Sequence, residues 1–288
     1  MNTAADHLRA VLESYDKKTD REWIDSLSRR KLEELEFHDK IRVPHAENTK
    51  ANDTYEALHS NDKFYSTVEK SRNYATCWIQ KHSPGKIVLD YACGNGENAR
   101  LAAKSGASLA VGLDISRVSV ENCRRIAAQE NLTANTCFVQ GDCENTGLPD
   151  KSIDVVICSG MLHHLDLSYA FFELRRIMKV GAILLAVEAL DYNPMIKLYR
   201  LFTPSLRTNW EKAHILSLKD LTFARRFFDV RHINYWHLFS ILSTPFRNNF
   251  LFRPALGLGN LLDSIFLKVF PISLLAWIFT FELIRRDD

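Results

Sequence analysis

Three acids stand where strands would end, and two of them bracket a pair of glycines. Asp90 closes the apolar run Ile87-Val88-Leu89. Asp114 closes Leu109-Ala-Val-Gly-Leu, and Asp142 follows Cys137-Phe-Val-Gln-Gly141. Gly94 and Gly96 lie between the first two and let the backbone turn sharply and approach a ligand closely. A carboxylate about 20 residues beyond such a turn accepts hydrogen bonds from ribose hydroxyls, which is the place of Asp114. Asp142 is placed to meet an adenine amine. Asp90 precedes the glycines, where it can meet an amino-acid moiety rather than a pyrophosphate. Further along, Cys158-Ser-Gly-Met-Leu-His163-His164 follows a fourth apolar run. A histidine there can act as a general base near neutral pH, or it can hold the loop backbone. The second role is favoured for each of His163 and His164. Adjacent histidines point in different directions and no nearby acid completes a ligand set, so no metal ion is expected.

Strands and helices must position these groups. The pattern predicts strands near 86–90, 108–114, 136–140, 153–159 and 182–188, with helices near 97–105, 117–130 and 167–178. Short apolar runs alternating with amphipathic stretches make an α/β fold with a parallel sheet, whose ligands bind at the carboxyl edge. Residues 227–237 and 274–284 read as a sixth and a seventh strand. Residues 1–42 carry helical spacing in Leu8, Val11, Leu12, Tyr15, Trp23, Ile24, Leu27, Leu32 and Leu35. Asn52-Asp-Thr-Tyr-Glu fits a capped helix start. An apolar-aromatic helix is expected over 64–81. The chain therefore divides into a helical N-terminal cover, 1–81, and a nucleotide-binding domain, 82–288. That domain carries insertions near 189–226 and 238–273.

Composition narrows the function classes. With 288 residues and a net charge of +2, the chain can bury a full core and shows no basic excess for nucleic acid. The six cysteines form no C-x-x-C pair and suit a reducing cytosol. The N-terminus lacks a basic-then-apolar signal pattern, so a cytosolic location is expected.

Val88-Leu-Asp-Tyr-Ala-Cys-Gly-Asn-Gly96, Gly112-Leu-Asp-Ile-Ser116, Gly141-Asp142 and Asp154-Val-Val-Ile-Cys-Ser-Gly-Met-Leu-His-His-Leu165 form an ordered set. Over roughly residues 60–190 it resembles the motifs of class I S-adenosylmethionine (SAM)-dependent methyltransferases, in the flavour that acts on small molecules and quinones. Ala92 departs from the pattern by replacing the first glycine of the loop. The resemblance implies a Rossmann-like sheet of seven strands, the last antiparallel, with SAM as cofactor. The Gly94–Gly96 backbone would approach the amino-acid end and Asp90 its ammonium. Asp114 would take the ribose, Ile115 the adenine face, Asp142 the adenine amine and Cys143 the ring edge. Ser159 would lie near the transferred methyl. N-terminal helices would fold over the cofactor and the substrate, with Phe64, Tyr65 and Tyr74 as candidate cover.

Glu188, Asp191, Tyr192 and His214 remain as base or substrate-orienting candidates. Glu211 and His214, three apart, would share a helix face or form a surface ion pair. The expected activity is methyl transfer to a small, fairly apolar acceptor, with oxygen preferred over carbon or nitrogen. The Phe- and Leu-rich insertion 238–273 reads as peripheral membrane contact or as a helical insert at a homodimer interface. Gly94-x-Gly96-x-x-Ala99 also fits a dinucleotide fingerprint, which keeps an NAD(P)-dependent oxidoreductase open. A SAM-binding subunit without turnover is the other alternative.

Overall fold

The structure, a computed structural model, describes residues 3–15, 19–47 and 62–287, with backbone alone for 41–47 and 62. The expected helix start at Asn52 lies outside the described residues.

Apolar strands with few exposed positions can only be buried on both faces, and the chain builds such a sheet. The strands are β1 (Ile87–Tyr91), β2 (Leu109–Asp114), β3 (Thr136–Gln140), β4 (Ile153–Ser159), β5 (Met178–Ala189), β6 (Phe228–Trp236) and β7 (Ile278–Arg285). Their order is β3-β2-β1-β4-β5-β7-β6. The first five run parallel, and β7 pairs antiparallel with both β5 and β6. This is the seven-stranded, mostly parallel Rossmann-like sheet expected from the sequence. Alternation along β1 splits its side chains between two layers. Leu89 and Tyr91 join the core that contains Phe171 and Phe279, whereas Val88 joins Trp78, Ala102 and Phe138.

Two boundaries differ from expectation. Helix Leu167–Ile177 runs straight into β5, so that strand begins at Met178 and bends at Gly181, whose φ is +74°. The apolar stretch from 274 is not strand throughout. Ile272–Leu275 forms a short 3-10 turn, and β7 starts at Ile278.

The N-terminal helices divide their work. Thr3 and Thr19 each close a capping box, with Asp6 and Glu22, and so start helices Ala4–Leu12 and Asp20–Ser26. Leu8 and Leu12 enter the sheet core, and Arg9 donates to the Ala134 carbonyl at 2.8 Å. This first helix packs beside β3 rather than over the carboxyl edge. Helix Glu69–His82 packs behind the sheet through Trp78 and Ile79, and Trp78 Nε1 donates to Glu282 at 2.9 Å. Among the described N-terminal helices, Asp20–Ser26 and Arg29–Glu47 reach the carboxyl ends of β2 and β3. Trp23 Nε1 donates to the Ile115 carbonyl at 3.2 Å, and Lys31 meets Asp142.

Candidate active site

The glycine turn after β1 is built on left-handed backbone. Ala92, Gly94 and Gly96 have φ of 59°, 53° and 70°. This explains the departure at Ala92. A glycine suits that position, and an alanine there is strained by about 1–2 kcal/mol. At Gly96 a Cβ would stand 2.7 Å from the Phe138 ring and 2.8 Å from Cys123 Sγ, so space as well as φ demands glycine.

Asp90 is buried and holds the start of helix Glu97–Lys104. It accepts from Ala99 N–H at 3.0 Å and from Asn98 at 3.3 Å. Burial pushes its carboxyl up to about 7, against those two hydrogen bonds. A cationic ligand group beside it would favour the ionised form. Asp114, also buried, accepts from Gly94 N–H at 2.8 Å and Ser116 N–H at 2.9 Å, tying the turn to the end of β2. Ala92, Asp114, Ile115, Asp142 and Cys143 all line one small cavity.

Helix Arg29–Glu47 closes that cavity from above. Lys31 Nζ lies 2.6 Å from Asp142 and 2.9 Å from Glu144, and Arg30 pairs with Glu144. Asp142, expected to receive an adenine amine, is thus engaged by a lysine. The remaining space is about 40 Å³. Sites for drug-sized ligands run to about 300–1,000 Å³. The residues nevertheless suit SAM: strand-end acids, a left-handed glycine turn, and a buried Asn95 Oδ1 within that turn that lacks a hydrogen-bond partner. An ammonium donor would satisfy it. The residues fit the cofactor, and helix Arg29–Glu47 occupies the space above them.

A second cavity of about 770 Å³ adjoins the first. Phe64, Tyr65, Tyr199, Phe239 and Trp277 give it an aromatic wall, and His163, Arg200, Arg207 and Glu211 a polar corner. His163 lines this cavity and His164 the small one, with ring centroids 4.3 Å apart, so the pair forms the partition between them. His163 Nδ1 donates to Glu188 at 2.7 Å, and its Nε2 lies 4.0 Å from Glu211. Burial lowers the His163 pKa, but the hydrogen bond and charge of Glu188, with Glu211 behind, outweigh it and hold it above the ordinary value. Glu188 also accepts from Met161 and Leu162 N–H, at 2.9 and 2.8 Å, and so shapes the loop that carries the histidines. Arg200 and Arg207 both reach Glu211, at 3.3 and 3.6 Å, and burial pulls both guanidinium pKa values down.

His164 Nδ1 donates to Glu34 at 2.9 Å. Both histidines therefore have acids beside them, which corrects the expectation that no acid completes a set. Glu34, His38 and His164 bring ligand atoms within 4.8 Å of one another, as do His163, His164 and Glu211. Such donors suit a divalent transition ion. In the structure they hold one another, and Thr208 also donates to Glu34.

Other expectations are corrected. His214 is exposed, stacked on Trp210 at 3.7 Å, and lines neither of these two cavities. It caps the end of helix Asn209–Ala213, while Glu211 turns inward, so the two do not share a face. Ser159 ends β4 exposed and also lines neither. Tyr74 packs on Trp236 at 5.4 Å, away from the cavity that Phe64 and Tyr65 line. Tyr192 accepts from Leu218 N–H, and Asp191 pairs with Lys197. Sequence reasoning missed Arg30, Lys31, Glu34, His38 and Glu144. The one available signal was Glu34 and His38, four apart on a helix that points both to one face.

Residues 89–186 match the family described as a methyltransferase domain. Sterol 24-C-methyltransferase ERG6B of Gibberella zeae is 36% identical over 101 residues, 35% of this chain and 27% of that protein. Sterol 24-C-methyltransferase erg6 of Aspergillus fumigatus is 30% identical over 123 residues, covering 42% and 32%. The matches thus span about a third of these relatives' length. Among solved structures, geranyl diphosphate methyltransferase in complex with GPP and sinefungin has a TM-score of 0.60 at 12% identity, covering 90% of this chain and 100% of that one. Magnesium protoporphyrin IX methyltransferase from Synechocystis PCC 6803 has a TM-score of 0.54 at 15% identity, covering 88% and 99%. These likenesses show the fold. The match to a methyltransferase domain over residues 89–186 takes in the glycine turn, the strand-end acids and the histidine loop.

Proposed function

We propose that the chain transfers a methyl group from SAM to a small, largely apolar acceptor held in the 770 Å³ cavity. The observation that carries this is the histidine partition. His163 faces an aromatic cavity on one side, and His164 faces the cofactor cleft on the other. Bound at the glycine turn, SAM supplies a methyl already activated by its sulfonium charge. The protein's part is then to align the groups, exclude water and take up a proton.

Asp114 and Ile115 hold the adenosyl end, and the Gly94–Gly96 turn, with Asn95 and Asp90, the amino-acid end. The aromatic wall orients the acceptor. Neutral His163, with Nδ1–H held by Glu188, presents Nε2 to a hydroxyl of the acceptor, which supports oxygen as the methylated atom. Carbon is the second reading, favoured by the names of the relatives, sterol 24-C-methyltransferases. The dinucleotide reading gives way to the family match over residues 89–186.

Calorimetric titration with SAM, S-adenosylhomocysteine and NADH tests the cofactor. Both adenosyl ligands should bind and NADH should not. Asp114→Ala should weaken SAM by about 1–3 kcal/mol, the cost of losing charged hydrogen bonds. Turnover of methyl-labelled SAM with a lipid extract separates an enzyme from a binding subunit. The carbon-13 shift of the transferred methyl then separates oxygen from carbon.

A further inference from the structure

Two helices of the C-terminal half turn an apolar face outward. In Phe252–Phe266, Leu256, Gly259 and Asp263 are buried, while Leu258, Leu261 and Ile265 are 59%, 57% and 54% exposed. At 100° per residue these two sets lie on opposite sides of the helix. In Pro194–Phe202 no residue is buried, and Met195, Leu201 and Phe202 are about 70% exposed or more. A lone exposed leucine is ordinary, but a set of this extent marks an interaction site.

Helix Pro194–Phe202 and the turn Ser240–Phe246 line one opening. Met195, Leu242 and Leu275 are exposed, and the same three residues line the 770 Å³ cavity. Leu242 lies on the turn Ser240–Phe246, against which helix Phe252–Phe266 packs.

The charge on these segments has one sign. Residues 194–202 and 240–275 contain Lys197, Arg200, Arg247, Arg253 and Lys268, with Asp263 as their one acid. Asp263 is buried, accepting from Leu238, Phe239 and Ser240 N–H. Lys197 and Arg253 pair with Asp191 and Glu69. No acid pairs with Arg247 or Lys268 among the described residues. An apolar face edged by cations binds the surface of an anionic bilayer, where apolar burial and headgroup attraction add. No described helix is long and apolar enough to cross one.

We propose that this face docks on anionic lipid, and that the acceptor is a membrane-resident amphiphile entering the cavity past Met195, Leu242 and Leu275. The inference rests on the acceptor cavity assigned above. A second copy of the chain seated there would cover the same rim and shut the cavity, which favours lipid as the occupant.

The test is co-sedimentation of the full chain with phosphatidylcholine vesicles, with and without phosphatidylserine. Binding should require phosphatidylserine. Leu258→Ser/Leu261→Ser/Ile265→Ser should lower partitioning about tenfold or more, because interfacial binding scales with buried apolar area. These side chains are exposed, so SAM affinity should be unchanged. Arg247→Gln/Lys268→Gln should remove the preference for phosphatidylserine. Wild-type protein that binds neither vesicle overturns the proposal. So does a dimer in solution that the triple variant converts to monomer. Vesicle binding without SAM binding would instead defeat the methyltransferase reading and leave the docking face standing.

Discussion

Glu188 is the residue on which the histidine loop depends. Its carboxylate accepts two backbone N–H groups and holds His163 Nδ1. Glu188→Gln keeps an acceptor for the loop but removes the charge that raises the His163 pKa. If neutral His163 takes the acceptor's proton, the rate rises with pH as His163 deprotonates. Losing the negative neighbour lowers that pKa, so the acidic limb of the pH–rate profile should move to lower pH. An unmoved limb would assign the proton transfer to another group. Asp90 and Asp114 bear a different burden: Asp90 holds the start of helix Glu97–Lys104 through Ala99 N–H and the Asn98 side chain, and Asp114 ties Gly94 N–H of the turn to Ser116 N–H beyond β2.

Helix Arg29–Glu47 joins both halves of the site. Lys31 and Arg30 latch it to Asp142 and Glu144, Glu34 meets His164 and Thr208, and the Arg30 guanidinium lies 4.6 Å over the Trp210 ring. Lys31→Met should release Asp142 and speed SAM association, read by stopped-flow tryptophan fluorescence. An unchanged association rate would show that the helix does not gate the cleft. At the other wall, Gly259 lets helix Phe252–Phe266 sit directly on the turn Ser240–Phe246. A Cβ there would stand 2.7 Å from Ser240 Cα, backbone that cannot rotate away. Gly259→Ala should cost about 1–3 kcal/mol by overpacking. It should also raise KM for the acceptor more than it lowers kcat, because it displaces the cavity wall.

Across the whole molecule, His237 ties three segments together from the end of β6. Its Nδ1 lies 2.9 Å from Ser240 Oγ and its Nε2 2.8 Å from Ser71 Oγ. Burial pulls its pKa down to about 4, with Lys70 adding to the effect and Asp263 opposing it. The unfolded chain holds a histidine near 6.5. The neutral side chain therefore contributes stability above about 6.5 that is lost as pH falls toward about 4. Urea unfolding across that window should show the loss. His237→Gln should be less stable near neutrality and should lose less on acidification. An equal acid slope in the variant would place the loss at other groups.

The glycine turn and the strand-end acids were legible from the chain alone. Strand, glycine turn and helix follow one another within a few residues, so sequence spacing sets where Asp90, Gly94, Gly96 and Asp114 stand at the sheet edge. Even the substitution at Ala92 changes strain rather than position. The larger cavity and the partners of its histidine loop were decided by the tertiary structure. Glu34 reaches His164 across 130 residues and Thr208 across 174, distances over which no spacing rule operates. The same packing turned Glu211 inward and His214 outward, although both sit within four residues of one short helix. It also exposed Leu258 and buried Leu256. Hydrophobicity alone treats those two leucines alike, and only the neighbours that the fold brought to the helix separate them.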